Sequence, residues 1–300
     1  MKERDLDEFE SLFRRAVIPT IEVDAIEVRD IVVLADFSER AEACGAIAAE
    51  LKERFGARVS ARFLLHPRDH DHEGEARALM ERVAADERRV VEGDPAAALK
   101  RIVDEEKPSM ILAPAPLHLH DPSPEADALG EFLDRLLVAT AIPTLLVRRP
   151  ARESVFRRIL AKIPGGRHEL IEQFSFAFAL CPPGGLVRLL HVVEKERLDE
   201  LAEVLRVAPG LDTEEGAAGL LDAIETRMNQ LLRGAVRTAK DAGFTVEADV
   251  DVGDPFELVP RQAKDFSLLI VGSPSSHREF LESRAYRLIQ AVPDIPVLAL

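Results

Sequence analysis

The chain has no tryptophan, one tyrosine and two cysteines in 300 residues. Each scarcity removes a class of protein. Cys44 and Cys181 stand far apart with no CxxC spacing, so they read as reduced, part-buried thiols rather than a disulfide framework or a thiolate metal site. The single tyrosine and absent tryptophan leave little for base stacking, and a net charge of −15 repels phosphate backbones and anionic lipid. Neither nucleic acid nor a membrane is an expected partner. No apolar run approaches the roughly 18 residues of a spanning helix, and the charged start Met1-Lys2-Glu3-Arg4-Asp5 is unlike a secretory signal, so a cytoplasmic protein is expected. Enzyme signatures are also scarce: there is no GxxxxGK[ST], no GxGxxG after a strand and no GxSxG. His168-Glu169-Leu170-Ile171-Glu172 lacks the second histidine of a zinc-protease helix. A dedicated enzyme is therefore not expected.

What is present is written twice. Ile31-Val32-Val33-Leu34-Ala35-Asp36 returns as Ile159-Leu160-Ala161-Lys162-Ile163-Pro164, and Phe63-Leu64-Leu65-His66 returns as Arg188-Leu189-Leu190-His191. Gly93-Asp94-Pro95 returns as Gly253-Asp254-Pro255, and Ile142-Pro143-Thr144-Leu145-Leu146-Val147 as Ile295-Pro296-Val297-Leu298-Ala299-Leu300. Each copy is long enough to bury its own core. Short apolar runs alternate with stretches of helical spacing, which predicts parallel strands joined by right-handed helical crossovers. The expected fold is α/β, with two tandem doubly wound parallel five-stranded sheets of Rossmann-like type. The expected division is a helical extension at 1–29, a first domain at 30–149 and a second at 156–300. Leu6, Phe9, Leu12 and Phe13 of the extension are expected to cover a thin face of the first sheet. The helix expected before the fifth strand of the first half runs over 125–140. The fifth strands, at 144–147 and 297–300, are expected to face each other across two separate sheets and to make an intrachain pseudo-dimer. Whether two chains form a homodimer is left open.

These motifs resemble the universal stress protein family in its two-domain form. The resemblance rests on a first strand ending in Asp36-Phe37-Ser38, the second-strand Leu189-Leu190-His191-Val192-Val193, Gly253-Asp254-Pro255, Leu269-Ile270-Val271-Gly272-Ser273 and Ile295-Pro296-Val297-Leu298. It implies a stress-response binding or regulatory module. In the nucleotide-binding branch of that family the first-strand Asp meets the adenosine, and a loop Gly-x-x-Gly-(nine residues)-Gly-Ser/Thr wraps the phosphates. Carried over, this makes Asp36, Ser38 and Gly130 the nucleotide candidates of the first half, and Gly272, Ser273, Ser275, Ser276 and Arg284 those of the second. The motif is degenerate. Pro114 replaces the first glycine of one loop and Glu131 follows Gly130; Ser275 and Ser283 replace glycines of the other, and Pro164 stands where the second half needs its Asp. Weak binding of an adenine nucleotide is therefore expected at most, since a phosphate cradle needs backbone N–H groups that only glycine lets turn inward.

Histidines gather in the first half. His70, His72, His118, His120, Asp36 and Asp121 are the candidate ligands of a zinc or similar divalent ion, because two H-x-H loops leave neighbouring strand ends. The plainer reading is that such polar loops face water. His66 and His191, repeated at strand ends, read as structural. The alternatives to a regulatory module are a metal-dependent hydrolase or nucleotide-processing enzyme in the histidine-lined crevice, and an accessory subunit of a transporter or kinase.

Overall fold

The computed structural model describes residues 21–65, 71–117, 129–150, 153–165, 167–194, 213–272 and 283–300. The first half contains β1 (Asp30–Ala35), α1 (Glu39–Phe55), β2 (Arg58–Leu65), α2 (Glu73–Met80), β3 (Glu87–Glu92), α3 (Pro95–Arg101), β4 (Met110–Pro114), α4 (Glu131–Ala139) and β5 (Thr144–Val147). The second contains β6 (Arg158–Ile163), α5 (Arg167–Leu180), β7 (Leu186–Val193), α6 (Thr213–Asp241), β8 (Thr245–Val252), α7 (Pro255–Ala263), β9 (Leu268–Val271), α8 (Arg284–Ala291) and β10 (Val297–Ala299). Local chemistry explains the boundaries. α1 stops where Gly56 turns left-handed at φ 69° and its N–H donates to Lys52 O. α3 and α7 open alike: Asp94 accepts from Ala97 N and Asp254 from Phe256 N, each followed by a proline that lacks the N–H the first turn cannot use.

Strand order is β3-β2-β1-β4-β5-β10-β9-β6-β7-β8, with parallel pairing inside each half. The expected five-stranded parallel sheets are both there. They are not separate, however: β5 and β10 pair antiparallel, Leu298 opposite Leu145, and the sheet runs continuously through ten strands. The reason lies in the edges, which are buried and apolar along their length and so gain more from pairing than from water.

Alternation along the strands sends side chains to two apolar layers. Ile31, Val33 and Ala35 join α1, α2, α5 and α6 on one face; Val32 and Leu34 join α3, α4, α7 and α8 on the other. Both layers run across the two halves. Further ties close the joint: Tyr286 Oη donates to Asp134 Oδ1 at 2.6 Å, and Arg54 donates to Leu180 O.

One expectation is corrected here. α4 begins at Glu131, after Gly130, while 118–128 lie outside the described residues. Of the N-terminal extension, residues 21–29 are described: Ile21 is fully buried, Ile21 O accepts from Thr238 Oγ1 at 2.9 Å, and Asp24 N donates to Ser175 Oγ at 2.9 Å. This part therefore packs on α5 and α6 of the second half. Leu6, Phe9, Leu12 and Phe13 fall outside the described residues.

Candidate functional site

In an open parallel sheet, ligands sit beyond the carboxyl ends of the strands, where the order of winding reverses. That point is β1/β4 in the first half and β6/β9 in the second.

At the first, Asp36 caps β1 and is 1% exposed. Its carboxylate is already engaged: Ser38 N donates to Oδ1 at 2.9 Å, Ser38 Oγ donates to the same atom, and Arg40 Nη2 stands 3.9 Å from Oδ2. Arg40 also donates to Ala115 O at 3.3 Å, and so spans from α1 to the end of β4 across the switch point. Asp36 and Ser38, the first half's nucleotide candidates, thus serve each other and Arg40 in this structure. Arg40 was missed in the sequence, although its i,i+4 spacing from Asp36 was the available signal. Gly130 does take a conformation that favours glycine, φ 93°, at the start of α4, and a Cβ there would meet Leu117 O at 3.3 Å.

Of the proposed metal ligands, Asp36 and His72 are described. His72 Nδ1 lies 3.3 Å from Glu75 Oε2, and its ring meets Phe37 edge-on. Among the described residues no group of three or more His, Cys, Asp or Glu is placed to hold a metal. His70, His118, His120 and Asp121 lie outside the described residues, as does His66.

The second switch point is built differently. Pro164 takes the place of Asp36, and Lys162 takes the place of Leu34, so a cation stands where the first half buries an apolar side chain. Lys162 lines a cavity of about 450 Å³ with Pro164, His191, Val192, Glu194, Arg227 and Arg284. An adjoining cavity of about 310 Å³ shares Lys162, Pro164 and Arg284 and reaches Gly272 and Ser283. Burial pushes the Lys162 ammonium below the usual lysine range; Glu194 pulls it back up and Arg284 pushes it further down. His191 is buried, with Nδ1 3.0 Å from Ile163 O, and burial holds its imidazole below the usual range. That supports the structural reading of this histidine.

Gln173, wholly buried on α5, ties the switch point together: with its amide assigned by its partners, nitrogen donates to Lys162 O at 2.6 Å and oxygen accepts from Gly272 N at 3.0 Å. A Cβ on Gly272 would stand 2.4 Å from that amide, so a side chain there would displace Gln173. The first glycine of the expected phosphate loop thus has its N–H committed to Gln173. Arg284 opens α8 and pairs with Glu194 at 2.6 Å, and Ser283 caps the helix by accepting from Tyr286 N at 3.2 Å. Ser273, Ser275 and Ser276 lie outside the described residues. Lys162 and Gln173 were missed in the sequence, where one shows only as a lone cation in an apolar strand and the other as a lone amide in an apolar helix.

No model of a protein family matches the chain, and no curated protein matches it. Solved structures do. A universal stress protein from Archaeoglobus fulgidus superposes over 92% of this chain and 97% of its own, with a TM-score of 0.61 and 14% identity. The chain has the tandem universal stress protein fold. A functionally unknown protein from Pseudomonas aeruginosa shares it, covering 91% of this chain and 92% of its own at a TM-score of 0.56 and 16% identity. At such identity the universal stress protein likeness is one of fold, and what the chain does rests on its own crevices. Among the described residues no helix is long and apolar enough to cross a membrane.

Proposed function

We propose that the chain is a tandem universal stress protein, a cytoplasmic binding and regulatory module with domains at 30–149 and 156–300 after an extension at 1–29, and that its ligand site is the crevice of the second half. One observation carries the reading: at the first switch point the carboxylate is satisfied by Ser38 and Arg40, while at the second Lys162, Arg227 and Arg284 line a cavity of about 450 Å³. Three cations against one carboxylate, Glu194, around a concave site favour a small anion. They do not recreate a triphosphate cradle, since the glycine N–H is committed to Gln173 and Pro164 removes the carboxylate that would meet the sugar. The regulatory module thus answers to a small anionic metabolite, with adenine nucleotide bound weakly.

Titration calorimetry with MgATP, AMP and inorganic phosphate tests this. MgATP is expected to miss micromolar affinity, which would require about −8 kcal/mol. AMP or phosphate is expected to bind and to lose most of that binding in Arg284→Ala. Micromolar MgATP binding, or anion binding unmoved by Arg284→Ala, would overturn the reading.

A further inference from the structure

Lys162 is the chemically unusual group of the crevice. An aliphatic amine so largely enclosed is costly as a cation unless an anion faces it. Among the described residues no hydrogen bond or ion pair is made to its Nζ; Glu194, the nearby carboxylate, is held by Arg284 at 2.6 Å. The side chain leaves the middle of the sheet, with Leu190 and Val271 beside it on β7 and β9, so it is anchored at its base and presented at its tip. The cavity around it is lined by apolar Val192 and Met228, by Arg227, and by Arg284 with its partner Glu194.

We infer that Lys162 is a covalent capture site for a small carbonyl compound bearing an anionic group, Nζ forming an imine with the carbonyl carbon while Arg284 and Arg227 hold the anion. The inference rests on the reading of the second crevice as the ligand site. In the step, the nitrogen lone pair attacks the carbonyl carbon and the carbonyl oxygen takes up a proton, giving a carbinolamine. Loss of that oxygen as water, with the remaining amine proton, leaves C=N. One amine and one carbonyl become one imine and one water, and nothing is oxidised or reduced. Three features favour the step: burial enriches the neutral amine that attacks, a second cation beside a lysine does the same, and the apolar wall shields the imine from water. The anionic group takes Glu194's place on Arg284 or joins Arg227.

The probes are pyridoxal 5′-phosphate and pyridoxal, which share one aldehyde and differ in the phosphate. Each is added to the full chain at pH 7.5, reduced with borohydride, and the modified lysines located by peptide mass spectrometry. Lys162 is expected to be modified by the phosphate form faster than Lys52 or Lys240, because the arginines hold the phosphate beside it and burial enlarges its share of neutral amine. Pyridoxal itself is expected to show a much smaller preference, and Arg284→Ala to bring the phosphate form down to that level. Lys162→Met and Lys162→Arg, the second keeping the cation, are both expected to remove the imine absorbance band. Labelling of Lys162 no faster than of the surface lysines, or equal labelling by the two aldehydes, would overturn the proposal. Phosphate binding that is abolished by Arg284→Ala, without imine formation, would overturn it while leaving the crevice reading in place.

Discussion

The two switch points are made from the same strand, turn and helix, yet the first is tied by the Asp36–Arg40 pair, while the second opens on a cavity lined by Lys162, Arg227 and the Arg284–Glu194 pair. Two positions set the difference. Asp36 against Pro164 decides whether a carboxylate is present to bind Arg40; Leu34 against Lys162 decides whether the strand ends in the apolar layer or in a charge. Both halves repeat the same order of strands, so the lesson concerns side chains: a fold fixes where a site stands, and a few strand-end residues fix what it can hold.

The sharpest way to break the comparison is to part the halves. Leu298→Asp puts an unpaired carboxylate opposite Leu145, where both faces of the joint are covered, and is expected to cost on the order of 4 kcal/mol or more in urea unfolding. A smaller loss would mean that the halves stand without their joint. Next comes Asp36→Ala, which strands Arg40 and Ser38 and is expected to cost about 2–3 kcal/mol, while Pro164→Ala stays within about 1 kcal/mol. Equal losses in the two variants would erase the proposed asymmetry. Gln173→Leu leaves Lys162 O and Gly272 N without their shared partner, for an expected cost of about 1–3 kcal/mol in the same assay.

The smallest effect is one of pH. The folded pKa of His191 lies below its unfolded value of 6.5, so the unfolded chain binds more protons in that window. The stability associated with neutral His191 is therefore complete above pH 6.5 and is lost as pH falls below it. Melting temperature measured from pH 7.5 to 5.5 is expected to fall less steeply in His191→Gln than in the parent chain; parallel curves would show that the imidazole does not contribute.

Much of the fold was legible because each element carried its own signal. Gly56, Asp94-Pro95 and Asp254-Pro255 punctuate the helices, and the apolar runs are too short for anything but buried strands. The joint between halves was legible as an apolar edge, but not as a continuous sheet, since hydrogen bonding across two distant segments leaves no periodicity in either. The site was read less well. Asp36 was found from its motif, yet its engagement depends on the reach of Arg40 to Ala115 O, a contact between residues far apart in the chain. Lys162, Gln173, Arg227 and Arg284 likewise come from four separate elements, and only the packing of α5, α6 and α8 around the end of β6 brings them together.

The antiparallel seam between β5 and β10 has an evolutionary consequence. Were the halves two identical chains meeting at that edge, every substitution would strike both crevices at once, and losing the Asp36 carboxylate would remove it everywhere. Joined in one polypeptide, the halves are always present one to one, and a change such as Pro164 or Lys162 is felt at a single crevice. The seam thus lets one half keep a self-contained salt bridge as a stable shoulder while the other is at liberty to acquire new chemistry.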